Sequence, residues 1–200
     1  MPRPRLHDEN LRTLLLQETG RTISSRGVNA LSMRTLAADV GTSTTAVYSL
    51  FGGKPGLLAA LFEESFAGFG AAQRAVPVTG DVLADFAALA RAYWEWARDH
   101  PDLYGVMFSQ VLGEFERTRE QAAAAEATIE PLSALVESAI RAGILTGDAA
   151  IITFAIWAGV HGVVSLVLAG CAPHDEAHRS SLFQATADAA VRGWLARPLG

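Results

Sequence analysis

Cysteine is nearly missing from this chain of 200 residues, where Cys171 stands alone. A disulfide scaffold is thereby excluded, and a reducing compartment, the cytoplasm, is the expected location. Lysine is equally scarce, with Lys54 the single one among 16 basic residues. Charged residues make up only 18% of the chain and apolar ones 50%, which excludes a disordered chain and provides for a core. The opening MPRPRLHDEN holds no apolar stretch, so no secretory signal is expected there. Sustained apolar/polar alternation is missing too, while helical spacing recurs, so an all-α fold is expected. Phosphate-loop, dinucleotide, nucleophile-elbow and zinc-protease motifs are all absent, and neither an enzyme nor a cofactor is expected.

What charge there is lies unevenly. The net charge is −5, yet residues 1–55 carry seven basic and four acidic residues, a balance of +3, and the remainder carries −8. A basic head on an acidic body suits a protein that presents one end to a polyanion, although clustering by chance gives the same balance.

Punctuation along the chain marks the helices. The first is expected over about 8–26 with Gly27 as its stop, the second after the N-cap Ser32, and the third over Thr44–Phe51 after the N-cap Ser43. Gly52-Gly53 separates the third from a fourth that opens at Lys54-Pro55. Residues 75–80 (AVPVTG) read as a boundary between domains at 7–66 and 80–196. Beyond it helices are expected from Asp81 to about 99, over about 102–112, over 116–141 with a break at Pro131, from Asp148 to about 169, and over about 175–196. The expected architecture is a three-helix head and a larger helical body, about nine helices in all. Residues 149–170 are uncharged throughout and long enough to span a bilayer. His161 in the middle, two glycines and acidic flanks favour burial in a soluble protein, across a dimer interface, with no membrane partner.

Residues 32–51, SMRTLAADVGTSTTAVYSLF, are two short capped helices joined by a glycine turn. That is the helix-turn-helix plan, in which the second helix enters the major groove of DNA. Ser43, Thr44 and Thr45 gather short hydroxyls at its N-terminus, with Tyr48 and Ser49 one turn on. Lys54 and Arg34 supply cations near helix starts, suited to phosphate. Each has a plainer reading: Ser43 caps its helix, Tyr48 is a packing residue, and Lys54 is merely solvated.

The runs Leu31-Ser32-Met33-Arg34-Thr35-Leu36-Ala37, Val40-Gly41-Thr42-Ser43, Val47-Tyr48-Ser49-Leu50-Phe51 and Lys54-Pro55-Gly56-Leu57-Leu58 resemble the TetR family of bacterial transcriptional regulators. Gly20 departs from the family pattern, which has a helix former such as Ala there, and Gly52-Gly53 departs in the connection before Lys54. Trp157-Ala158-Gly159-Val160-His161-Gly162 resembles the "WHG" type of body in that family. The resemblance implies a homodimeric repressor that binds a palindromic operator in double-stranded DNA and is released by a small molecule.

The body is aromatic, and an apolar or amphipathic ligand is the class its side chains suit. Trp96, Tyr104, Phe108, Trp157 and His161 are the ligand-site candidates, with core packing as the plainer reading of each. Val164 and Leu168 are the dimer-interface candidates. Cys171, His174 and His178, with Asp175, have a spacing compatible with zinc but lack a second cysteine, and no metal is expected. The alternative function is a helical carrier for an apolar compound, which has no need of the hydroxyl-Tyr-Lys surface.

Overall fold

The computed structural model describes residues 5–108, 118–172 and 175–196. In chain order it contains α1 (Arg5–Arg26), a 3-10 turn (Val28–Ala30), α2 (Met33–Val40), α3 (Thr44–Phe51), α4 (Lys54–Arg74), α5 (Val82–Asp99) and α6 (Pro101–Phe108). It continues with α7 (Arg119–Glu126), a second 3-10 turn (Ala127–Ile129), α8 (Glu130–Arg141), α9 (Ala149–Leu168) and α10 (Glu176–Arg192). The fold is all-α, and no strand occurs among the described residues, only a single antiparallel bridge between Leu145 and Leu195.

Side-chain caps set most of the expected helix starts. Ser43 Oγ accepts from the Ala46 amide at 3.1 Å, Asp81 from Ala84 at 3.1 Å, Asp148 from Ile151 at 3.0 Å and Asp175 from His178 at 2.9 Å. Each satisfies one amide that the first helical turn leaves without a partner. Ser32 caps α2 in the same way. Gly41 ends α2 at φ 74°, in the left-handed region that a side chain disfavours, and lets the chain turn into α3. Pro131 restarts the helix as expected: a 3-10 turn precedes α8, which has the proline in its first turn.

Two compact units divide the chain, residues 1–67 with 100–124 and residues 68–99 with 125–200, the division falling within α4. In the first unit α1 packs on α2 and α6. Gly20 on α1 faces α6, where Leu103 Cδ2 and Asp102 Cβ lie 3.5 and 3.6 Å from the position of a Cβ. Leu15, Leu16, Ile23, Leu36, Val47 and Leu61 are buried, which is the core that holds α2 and α3 in place.

The second unit is built on α5, α8, α9 and α10. Phe86, Leu89, Val136, Ile152, Ile156 and Val191 share one core. α9 packs on α10, and a Cβ at Gly159 would stand in ordinary contact with Ala190 Cβ and Thr186 Cγ2, each at 3.7 Å. The last helix ends four residues before the expected position. After Gly193 the chain turns back, so that Thr146 N donates to Trp194 O and Ala196 N to Ile144 O, both at 2.9 Å. Asp85 is buried at the start of α5, where its carboxylate accepts from the Thr79 hydroxyl at 2.6 Å and from the Thr79 and Gly80 amides. The Thr79 hydroxyl, its amide and the Gly80 amide hold the carboxyl below its ordinary pKa.

Candidate nucleic-acid interface and ligand-site residues

α3 is eight residues long and carries no charge. Its buried side, Val47 and Phe51, seats it on the first unit. Thr45, Tyr48 and Ser49 fall at i, i+3 and i+4, and all three are exposed, Tyr48 by 53%. Thr44 is half-buried beside them. The Ser43 hydroxyl oxygen serves as the cap acceptor, and its hydrogen remains a donor. The face is therefore a row of hydroxyls and one phenol at a helix N-terminus, able to donate to and accept from base edges or phosphate oxygens.

The two cations differ. Arg34 is exposed in the first turn of α2. Lys54 is half-buried, and its ammonium donates to the carbonyls of Val28 at 2.8 Å and Leu31 at 3.2 Å. It ties the start of α4 to the turn between α1 and α2, a structural duty that the sequence pattern concealed. One residue passed over in the sequence belongs here as well. A Cβ at Gly56 would overlap the carbonyl oxygen of Phe51, so α3 and α4 come together as they do only because position 56 has no side chain. The signal was present in the run Lys54-Pro55-Gly56, but the reason for it is spatial.

The ligand-site candidates fall in different units. Tyr104 and Phe108 belong to the first. Tyr104 is only 2% exposed, its ring 4.9 Å from that of Phe108, which in turn lies edge-on to Phe66 at 6.1 Å. Both take part in that unit's aromatic core, because α6 packs on α1.

Trp96, Trp157 and His161 belong to the second unit. Trp96 is buried edge-on to Phe69 at 5.3 Å, and its indole lies against Gly68. Trp157 is half-buried between Phe154 and His161, each ring 5.4 Å away. His161 Nδ1 lies 3.5 Å from the Tyr93 hydroxyl and Nε2 3.3 Å from Ser165 Oγ. Burial pushes its pKa below the ordinary 6.5, so the imidazole is neutral at pH 7.

Of the interface candidates, Val164 is 2% exposed and packs inside its own unit, whereas Leu168 is 39% exposed. α9 is the one helix among the described residues long and apolar enough to cross a membrane, and 33% of that stretch is buried. Its exposed side carries Ile151, Phe154 and Leu166 at 60%, 61% and 53% exposure. Among the suggested zinc ligands, His174 lies outside the described residues. Cys171 is exposed, and His178 Nδ1 pairs with the Asp175 carboxylate at 2.7 Å.

Residues 15–61 match the family model described as bacterial regulatory proteins, tetR family, and residues 86–190 match that of the tetracyclin repressor-like C-terminal domain. Among solved structures, a protein of unknown function from Rhodococcus sp. RHA1 is 31% identical, with 94% of this chain and 96% of that one covered and a TM-score of 0.76. The TetR family transcriptional regulator PfmR from Thermus thermophilus is 20% identical over 89% and 97% of the two chains, with a TM-score of 0.74. A TetR family transcription regulator from Marinobacter aquaeolei VT8 is 19% identical over 96% and 100%, at 0.77. The last two show likeness of fold. No curated protein matches the sequence.

Proposed function

The chain belongs to the TetR family of DNA-binding transcriptional regulators, and from that premise we propose that it is a homodimeric repressor. It binds a palindromic operator, and a small apolar or amphipathic ligand releases it. The observation that carries the DNA reading is the exposed Thr45–Tyr48–Ser49 face of α3. Thr44 and Thr45 read base edges, Ser43, Tyr48, Ser49 and Arg34 hold the backbone, and Lys54 acts chiefly by fixing the start of α4. A carrier without DNA has no use for such a face.

The dimer reading rests on α9 and α10. Ile151, Phe154, Ala158, Gly162 and Leu166 form one stripe by helical spacing, and Leu182 is 40% exposed on α10. A second copy covers this surface isologously and sets two α3 helices one DNA turn, about 34–36 Å, apart or at a multiple of that distance. Such a partner also accounts for α9 without a membrane, in keeping with work in the cytoplasm. Trp96, Trp157 and His161 mark the second unit as the ligand site, and no enzymatic step is assigned to it.

Sequencing of genomic fragments retained by the purified protein tests the reading, with the enriched site then used for Thr45→Ala. The variant is expected to lose about 1–3 kcal/mol of discrimination at one base position and little affinity for random duplex. Equal losses on specific and random DNA would remove Thr45 from base reading, and no enriched palindrome would remove the operator claim.

A further inference from the structure

The second unit contains three buried polar side chains among the described residues: Gln73, Asp85 and Thr153. Asp85 is satisfied by Thr79 and Gly80. Gln73 and Thr153 are not. They are 5% and 6% exposed, and neither the Gln73 Nε2 nor the Thr153 Oγ1 has a hydrogen-bond partner among the described residues. A buried donor without a partner destabilises a fold, and apolar residues of similar shape would serve packing better. Two such groups in one small unit call for an explanation outside packing.

Their placement provides one. Phe69 on α4 lies edge-on to Tyr93 and Trp96 of α5, at 5.0 and 5.3 Å, while Val76 packs against the core that holds Phe86 and Leu89. α4 and α5 therefore run antiparallel, and Gln73, one turn past Phe69, falls near the level of Leu89. Phe86 and Leu89 share their core with Ile152 and Ile156, and Tyr93, one turn further along α5, reaches His161. α5 and α9 thus run parallel, and Thr153 lies near that same level, one turn before Trp157 and two before His161. Each unsatisfied group sits one turn along its own helix from an aromatic ring, Gln73 from Phe69 and Thr153 from Trp157, and Phe69 lies edge-on to Tyr93.

We propose that Gln73 and Thr153 are the polar anchor of the ligand site and that the ligand is an uncharged aromatic molecule bearing a carbonyl oxygen. The proposal rests on the reading of the second unit as ligand-binding. The Gln73 amide and the Thr153 hydroxyl donate to that oxygen while the rings hold the aromatic part. Charge favours a neutral ligand: no lysine or arginine is among the described buried side chains, so a buried carboxylate would have no permanent cation beside it.

A matched pair of probes tests it, 2-acetonaphthone and 2-ethylnaphthalene, which share a skeleton and differ in the carbonyl oxygen. Calorimetric titration of the full chain is expected to show the ketone binding about tenfold tighter or more, the net worth of the two buried hydrogen bonds. In the pair Gln73→Met and Thr153→Val that preference disappears, while Tm stays level or rises because two unsatisfied groups are gone. Equal binding of both probes to the unaltered protein, or a ketone preference that survives the double variant, overturns the anchor and leaves the apolar site standing. Failure of both probes to bind overturns the anchor and the aromatic-ligand reading together. A fall in Tm for either single variant shows that the group has a structural partner and also overturns the proposal.

Discussion

α3 and α9 expose opposite kinds of surface. α3 turns Val47 and Phe51 inward and leaves Thr45, Tyr48 and Ser49 outside, as a short helix seated on its own unit should. α9 buries Ile152, Ile156 and Val160 and still leaves Ile151, Phe154 and Leu166 more than half exposed. The polar face can stay hydrated until a polar, charged partner arrives. The apolar stripe holds water at a cost of roughly 25 cal/mol for each Å² and is relieved only by another apolar surface. On the proposed reading, one helix is fitted to a partner that comes and goes, the other to one that stays.

The largest effect is expected where α3 depends on its neighbour. Gly56→Ala places a Cβ on the Phe51 carbonyl oxygen, so the α3–α4 junction must open. Overpacking costs about 1–3 kcal/mol, and more against backbone, so thermal melts should show a large loss of stability and operator binding should fail. A variant that melts and binds as the unaltered protein does would mean the junction yields freely and α3 is not held by it.

Next comes the stripe on α9. Phe154→Glu changes an exposed residue and is expected to leave each protomer folded while dissociating the proposed dimer by about 2 kcal/mol or more, as at interface hot spots. Val164→Glu, buried within the unit, should instead unfold it. Light scattering with far-ultraviolet dichroism separates the two outcomes. A dimer unmoved by Phe154→Glu would erase the contrast between α3 and α9.

Acid sharpens the comparison in a different way, because the first unit has no counterpart to Asp85 among its described buried residues. The folded-state pKa of Asp85 is depressed, so its contribution is present above the unfolded value near 3.8 and is lost as pH falls through the folded one. Melts below about pH 4 should show a loss that Asp85→Asn, already less stable at neutral pH, no longer shows. Parallel pH curves for the two proteins would remove the carboxylate from that role. The smallest effect is a gain: Gly20→Ala finds only ordinary contacts at 3.5 Å and beyond, and should add about 0.4–1 kcal/mol. A loss at that position would show that α1 and α6 need a closer approach than their distances imply.

The head was legible because its signals are local. Ser32, Ser43, Gly41 and Gly52 act on backbone within four residues of themselves, and the helix limits they imply are those observed for α2 and α3. In the second unit Asp81, Asp148 and Asp175 mark their helices by the same short-range chemistry. Tyr104 and Phe108 were less legible, because their helical spacing suits a ligand site and a core equally and what they pack against depends on α1, far earlier in the chain.

The sequence by itself thus determined the helical class, the capped turn between α2 and α3, and the hydroxyl-bearing face of α3, because caps, glycine turns and helical periodicity need only neighbouring residues. Tertiary structure decided what those residues face. It turned Lys54 toward the carbonyls of Val28 and Leu31, 26 and 23 residues away, and set Gly56 against Phe51. It also enclosed Gln73 and Thr153 without partners among the described residues. Hydrogen bonds and steric contacts depend on distances in space, and a periodicity of 3.6 residues says which way a side chain points along its own helix but not what stands opposite.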